Sequence, residues 1–129
     1  MLQKILNTPW PSILWTGLIF FMLTIRTGSL ESVPRMPIPH LDKGVHALLF
    51  GVYTWLLLQW LHANRFGGIW PIVLLSASYG AGMEFYQEYF TTREFEWGDI
   101  IADSLGAAVP AFWLWIKKSP YGNRGRNQN

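Results

Sequence analysis

Three groups of polar residues, each spaced by three or four positions, interrupt the apolar runs of this 129-residue chain. In chain order the groups are Asp42, Lys43 and His46, then Glu84, Gln87 and Glu88, then Asp99 and Asp103. Because residues three or four apart share one face of a helix, each group would present its side chains together on a helical run. Insertion of an ionisable side chain at the centre of a membrane helix costs about 2.5–3.5 kcal/mol. If the runs span a bilayer, these groups therefore indicate a functional site in the interior of the protein.

Two cations accompany these acids and favour the binding of an anionic headgroup or envelope intermediate. Lys43 belongs to the first group, and Arg93 follows the second. The planar guanidinium of arginine matches phosphate and carboxylate groups with two hydrogen bonds at once. The predicted ligand-binding residues are Asp42, Lys43, His46, Glu84, Gln87, Arg93, Asp99 and Asp103.

The same residues would also suit catalysis or a divalent cation. The catalytic candidates are His46, Glu84 and Asp103, which lie within apolar runs. His46 would act as a general base or nucleophile, oriented by Asp42 or Glu84, on a transferred phosphoryl or acyl group. The metal-ligand candidates are His46, Glu84, Asp99 and Asp103, which offer imidazole and oxygen ligands. The sequence contains no reaction-specific motif such as HExxH or a nucleophile elbow, so whether the chain is an enzyme stays open, as does a divalent metal cofactor.

Two other classes of function are disfavoured. Proton or ion movement would need a relay, but inward of Glu84 and His46 the runs carry no ionisable residue until the opposite boundary. Nucleic-acid binding would need a larger basic surface, because the basic tail is short and lacks an aromatic platform. We therefore expect the lipid bilayer as a partner, and no nucleic acid.

Four apolar runs approach the roughly 20 residues that a membrane span needs, at 10–25, 44–61, 69–90 and 100–116. Charged residues make up 14% of the chain, well below the roughly 25% of soluble domains. A cleaved signal peptide is disfavoured because no small-x-small site follows the first run, and a soluble bundle because the second run lacks a polar face. The pattern predicts an all-α, integral membrane four-helix bundle. Residues 1–118 would form this domain, and 119–129 a disordered cytoplasmic tail.

Lysine and arginine residues are distributed unevenly between the two sides that four spans would create. One side receives Lys4, Arg65, Lys117, Lys118, Arg124 and Arg126, with no acid. The other side receives Arg26, Arg35, Lys43 and Arg93, with all eight acids. Because cytoplasmic loops carry the excess of basic residues, we predict a multi-pass protein of the cell membrane with both termini in the cytoplasm. All three polar groups would then lie at the same outer level, where they would form one pocket.

The order and gaps of these residues resemble a known family. The pattern is Asp42-Lys43-x-x-His46-x-x-x-Phe50, then Glu84-x-x-Gln87 followed by Arg93, then Asp99-x-x-x-Asp103-x-x-Gly106. It is similar to the VanZ-like family of small membrane proteins, over about half of the chain. The resemblance implies a helical protein of the bacterial inner membrane and cell envelope, whose name-giving relative is linked to resistance to the glycopeptide antibiotic teicoplanin. It therefore implies a ligand related to the envelope or to such an antibiotic. The chain departs from the family at Asp103, where the family usually has Asn.

Overall fold

The structure, a computed structural model, describes residues 1–25, 41–62, 66–91 and 94–118. These residues form five helices and the short segments that flank them. The helices are α1 (Leu2–Leu6), α2 (Trp10–Ile25), α3 (Leu41–Trp60), α4 (Phe66–Phe90) and α5 (Trp97–Lys118). These residues contain no strand, so the predicted all-α class is confirmed. Arg93 and the predicted tail 119–129 lie outside the described residues.

The four apolar runs of the sequence correspond to α2, α3, α4 and α5. Helix α2 has the same bounds as its run, whereas the other three helices begin three residues before theirs. Asp42 and Asp99 stand in the first turns of α3 and α5. A carboxylate is favourable there because the first turn leaves backbone N–H groups unpaired and carries the positive end of the helix dipole.

Length and hydropathy alone identify one membrane-span candidate among the described residues, at Trp97–Lys117. Trp10–Thr24 is apolar but shorter. Helices α3 and α4 have 20 and 25 residues, which is long enough to span, but they are not among the candidates. The number of spans and their topology therefore stay predictions.

The described helices bury polar side chains and expose large apolar ones. The buried polar residues are Ser12, His46, Thr54, Ser76, Glu84, Gln87, Asp99 and Asp103. Exposed apolar residues occur on all four long helices, for example Leu14, Phe21, Leu48, Leu74, Phe85, Leu105 and Val109. Soluble monomers rarely expose contiguous apolar patches above a few hundred Å², so this distribution is the one expected of a helix bundle surrounded by lipid.

Small residues let α5 approach its two neighbours closely. A Cβ added to Gly106 of α5 would lie 2.1 Å from the Ala47 carbonyl oxygen of α3. A Cβ added to Gly80 of α4 would lie 2.6 Å from Asp103 Oδ2 of α5. Helix α5 therefore packs closely against α3 at Gly106 and against α4 at Gly80. This packing places the polar residues of the three helices side by side.

Helix α2 is attached by side-chain hydrogen bonds to backbone carbonyls. Trp15 Nε1 donates to the Leu49 carbonyl at 2.9 Å, and the Tyr79 hydroxyl donates to the Thr16 carbonyl at 3.1 Å. Tyr79 also packs against the buried ring of Phe50, with centroids 5.8 Å apart. These contacts hold α2 against α3 and α4, away from the polar residues of α5.

The contact between α5 and α3 generates a test of the fold. We expect Gly106→Ala to lower the free energy of unfolding by about 1–3 kcal/mol, because the new methyl group meets backbone rather than a movable side chain. Gly82→Ala is the matched control, because nothing lies within 4 Å of its added Cβ. That control should be neutral or stabilising by up to about 1 kcal/mol, since alanine favours helix. Thermal unfolding in detergent, followed by circular dichroism, measures both, and equal midpoints would contradict the packing described.

Candidate functional site

His46 lies at the centre of a buried polar cluster between α3 and α5. Its Nδ1 is 3.0 Å from Asp103 Oδ1, and its Nε2 is 3.6 Å from Asp99 Oδ2. The three residues are fully buried, with at most 1% of each side chain exposed. Asp99 and Asp103 are four residues apart on α5 and so share a helix face. This spacing places one carboxylate beside each nitrogen of the imidazole.

The hydrogen bond to Asp103 fixes the orientation of the imidazole. We assign the shared proton to Nδ1, which then donates to an ionised Asp103 at Oδ1, because an ionised carboxylate only accepts hydrogen bonds. The other nitrogen, Nε2, has no hydrogen-bond partner within the described part of the chain. In the neutral ring Nε2 carries a lone pair, which can accept a proton or bind a metal ion. Sequence reasoning predicted Asp42 or Glu84 as the orienting acid, whereas the structure places Asp103 in that position.

Lys43 brings a positive charge to Asp99 from the solvent-accessible side. Its Nζ lies 3.3 Å from Asp99 Oδ1 and also forms an ion pair with Glu96. Lys43 lies just before the apolar run 44–61. The pKa of its ammonium group is raised, mainly because the group donates a hydrogen bond to Glu96, while burial opposes the rise. The absence of a side chain at Gly98 makes room for this contact, because a Cβ there would lie 2.7 Å from Lys43 Cε.

Glu96 was missed by sequence reasoning. It lies just before α5, outside the apolar runs, so nothing in the pattern marked it. Its carboxylate pairs with Lys43, its backbone N–H donates to Glu84 Oε2 at 3.3 Å, and its carbonyl accepts from the Asp99 N–H at 3.0 Å. The one available signal was its spacing of three residues before Asp99.

Asp42 approaches the same place from the first turn of α3. One possible ligand atom on each of Asp42, His46 and Asp99 lies within 4.8 Å of those on the other two. The predicted metal-ligand set contained His46, Glu84, Asp99 and Asp103. Within the described residues, the compact group instead combines Asp42 with His46 and Asp99.

Glu84 and Gln87 are buried on α4 but make different connections. Glu84, which is 2% exposed, accepts the hydrogen bond from the Glu96 backbone and so joins α4 to the start of α5. Gln87 Nε2 donates to the Leu23 carbonyl at 2.9 Å and joins α4 to α2. Gln87 was predicted to bind ligand, and in the structure its amide nitrogen serves helix packing. Glu88 is exposed.

These side chains define the polar cluster, which consists of Asp42, Lys43, His46, Glu84, Glu96, Asp99 and Asp103. Its seven described members comprise five carboxylates, one ammonium and one imidazole. Burial of like charges is unfavourable unless cations compensate them. Acids outnumber bases in the described part of the cluster, and Asp42, Glu84 and Asp99 also make interactions beyond those given above.

An open apolar groove of about 530 Å³ lies between α3 and α5. Its lining includes Ala47, Gly51, Trp55, Leu105, Val109 and Pro110. Lys43 lies four residues before Ala47 and so on the same face of α3, and Gly98 lies seven residues before Leu105 on the same face of α5. Lys43 and Gly98 contact each other, so the two faces that line the groove also meet at this contact. The groove therefore leads toward the Lys43 end of the polar cluster.

The hydrogen bond between His46 and Asp103 generates a second prediction. Asp103→Leu should lower the free energy of unfolding by about 1–3 kcal/mol, because the buried Nδ1–H loses its acceptor. Asp103→Asn keeps an oxygen acceptor and should cost less. Glu88→Gln changes an exposed acid on α4 and is the neutral control. Chemical denaturation in detergent measures the three variants, and equal destabilisation by Leu and Asn would show that this hydrogen bond does not hold the imidazole.

Comparisons with known proteins agree with the resemblance drawn from the polar residues. The chain is 32% identical over 93 residues to an uncharacterized protein of Schizosaccharomyces pombe, C11E3.10, a match that covers 70% of this chain. The chain spans 57% of the length of that relative. No solved structure matches the chain. A family model described as VanZ/LLP1 matches residues 8–118. The chain therefore belongs to the VanZ/LLP1 family.

Proposed function

We propose that the chain is a multi-pass protein of the cell membrane in which the runs 10–25, 44–61, 69–90 and 100–116 cross the bilayer. The exposed apolar side chains of α2 to α5 and the membership of the VanZ/LLP1 family support this proposal. The six-to-four excess of lysine and arginine on the side of the two termini, which includes Arg65 between the second and third runs, supports a cytoplasmic location of both termini. Residues 1–118 form the membrane domain, 119–129 form a cytoplasmic tail, and the polar cluster faces outward.

We propose further that this protein recognises a lipid-linked ligand of the cell envelope. The observation that carries the proposal is the apolar groove that leads to the buried polar cluster. The groove would receive the hydrocarbon chain of the ligand, and the polar cluster would receive its head. Lys43, which is 31% exposed, and Arg93, which lies outside the described residues, would contact an anionic head group.

The family narrows the class of ligand in two ways. The teicoplanin link of the name-giving relative favours an envelope precursor, or the glycopeptide antibiotic itself, as the bound molecule. Similarity to a fission-yeast protein favours a chemistry that bacterial and fungal membranes share, which a lipid head group provides. We therefore assign a lipid with a polar head as the ligand, and resistance to an antibiotic as a possible consequence of holding it.

A membrane enzyme is the second candidate, and the geometry of His46 favours it. With Nδ1 held by Asp103, Nε2 is oriented as a general base requires. It would take the proton of a water molecule that attacks a phosphoryl or acyl group of the lipid-linked substrate. Glu84 and Asp103 were the other catalytic candidates, and Asp103 would act by positioning the imidazole.

The proposed topology has a clean test because the chain contains no cysteine. A single cysteine at Glu94, an exposed residue before α5, should react with a membrane-impermeant maleimide in intact cells. A single cysteine at Asn7, before α2, should react only after the membrane is permeabilised. The reverse pattern would invert the orientation, and equal labelling of both sites in intact cells would exclude the four-span topology.

The groove provides the test of ligand binding. Leu105→Trp fills the groove with a larger side chain and should weaken retention of the co-purified lipid at least tenfold, which corresponds to about 1.4 kcal/mol. Leu74→Trp makes the same change on an exposed face of α4, away from the groove, and should retain the lipid. Native mass spectrometry of the detergent-purified protein measures the bound lipid.

His46→Ala separates the two candidate functions in the same assay. Loss of bound lipid supports recognition by the polar cluster. Retained lipid together with lost turnover of a lipid-linked phosphate or ester supports the enzyme. Equal lipid retention by Leu105→Trp, Leu74→Trp and the unmodified protein would exclude the groove as the site of the hydrocarbon chain.

A further inference from the structure

We infer that Asp42, His46 and Asp99 bind one divalent transition-metal ion, with Asp103 as the residue that positions the imidazole. The inference rests on the proposed function, because it places the ion in the same polar cluster. One ligand atom of each of the three residues lies within 4.8 Å of the other two. Donor atoms around one Zn²⁺ lie about 2.0–2.2 Å from it, hence up to about 4.4 Å from each other, so only a small closure is needed.

The free nitrogen of His46 is the independent observation that points to a ligand. Its side chain is 1% exposed, and Nε2 has no hydrogen-bond partner within the described residues. A buried polar atom left without a partner costs about 1–3 kcal/mol. The nearest carboxylate oxygen, Asp99 Oδ2 at 3.6 Å, lies too far away for a hydrogen bond but would share a metal ion with Nε2.

Asp103 completes an arrangement that recurs around metal-binding histidines. Such histidines almost always donate their other ring N–H to a carboxylate or carbonyl group, which fixes the tautomer and aims the metal-binding nitrogen. Asp103 Oδ1 accepts from His46 Nδ1 at 3.0 Å. Gly80 leaves the space for this carboxylate, because a Cβ there would lie 2.6 Å from Asp103 Oδ2.

The ligand set and the charge of the cluster indicate the class of ion. One imidazole with two carboxylates suits Zn²⁺ or Mn²⁺ better than Ca²⁺ or Mg²⁺, which prefer oxygen ligands alone. Two of the three ligands are carboxylates, whose negative charge favours a divalent ion at this position. Three protein ligands leave a coordination position for the phosphate or carboxylate oxygen of a lipid head. The ion would thus let an acidic site hold an anionic ligand.

The test measures metal directly and needs no lipid. The full chain is purified in detergent without chelator, its metal content is determined by mass spectrometry, and the stripped protein is titrated with Zn²⁺ and with Mn²⁺. We expect one ion per chain, and at least tenfold weaker binding in His46→Ala and in Asp99→Asn. Asp103→Asn should retain one ion per chain with affinity reduced about 10–100-fold, as for other residues behind a metal ligand.

His62→Ala is the matched control, because His62 is an exposed histidine just beyond the opposite end of α3. It should bind the ion as the unmodified chain does. If His46→Ala fails to fold, the nitrogen NMR signals of His46 in the unmodified protein decide the question, since zinc on Nε2 and a proton on Nε2 give different shifts.

Two results would overturn the inference: no saturable binding of Zn²⁺ or Mn²⁺ by the unmodified chain, or a doubly protonated His46 that persists in excess metal. Saturable metal binding combined with equal lipid retention by Leu105→Trp and the unmodified chain would support the ion site and count against the proposed function. Lipid retention that is lost in Leu105→Trp, in a chain that binds neither metal ion saturably, would have the opposite meaning.

Discussion

The structure depends on the burial of His46 between Asp99 and Asp103. Three polar side chains with at most 1% of their surface exposed need hydrogen-bonding or ionic partners inside the bundle. The imidazole meets one carboxylate at hydrogen-bonding distance and the other slightly beyond it. Lys43 reaches the second carboxylate from the accessible side. The packing of the helices around Gly80, Gly98 and Gly106 makes room for these contacts.

Glycine makes that room. Close approach of α5 to α3 at Gly106, of α4 to α5 at Gly80, and of Lys43 to the backbone at Gly98 each leaves no space for a Cβ. The same close contact of α3 and α5 leaves a groove on their apolar side. One packing arrangement therefore produces both parts of the proposed site, the apolar groove for a hydrocarbon chain and the polar cluster for a head group or an ion.

Much of this arrangement could be predicted from residue spacing. The pairs Asp42 with His46 and Asp99 with Asp103 are four residues apart, which fixes a shared helix face whatever the helix packs against. The apolar runs gave the four long helices to within about three residues, because helix ends vary by a residue or two and polar first turns lie outside a hydropathy pattern. Glu96 and the packing role of Gln87 could not be predicted, because each contact joins different helices or a residue outside the runs.

The sequence by itself determined the helices, the faces that carry histidine and acids, and the helix ends at which the three polar groups lie, because these follow from local periodicity. Only the tertiary structure decided which acid meets which nitrogen of His46, and that Asp42 rather than Glu84 joins His46 and Asp99. Those pairings depend on the rotation and separation of neighbouring helices. Contacts at single glycines set both quantities, and a periodic pattern cannot reveal which neighbour a glycine will face.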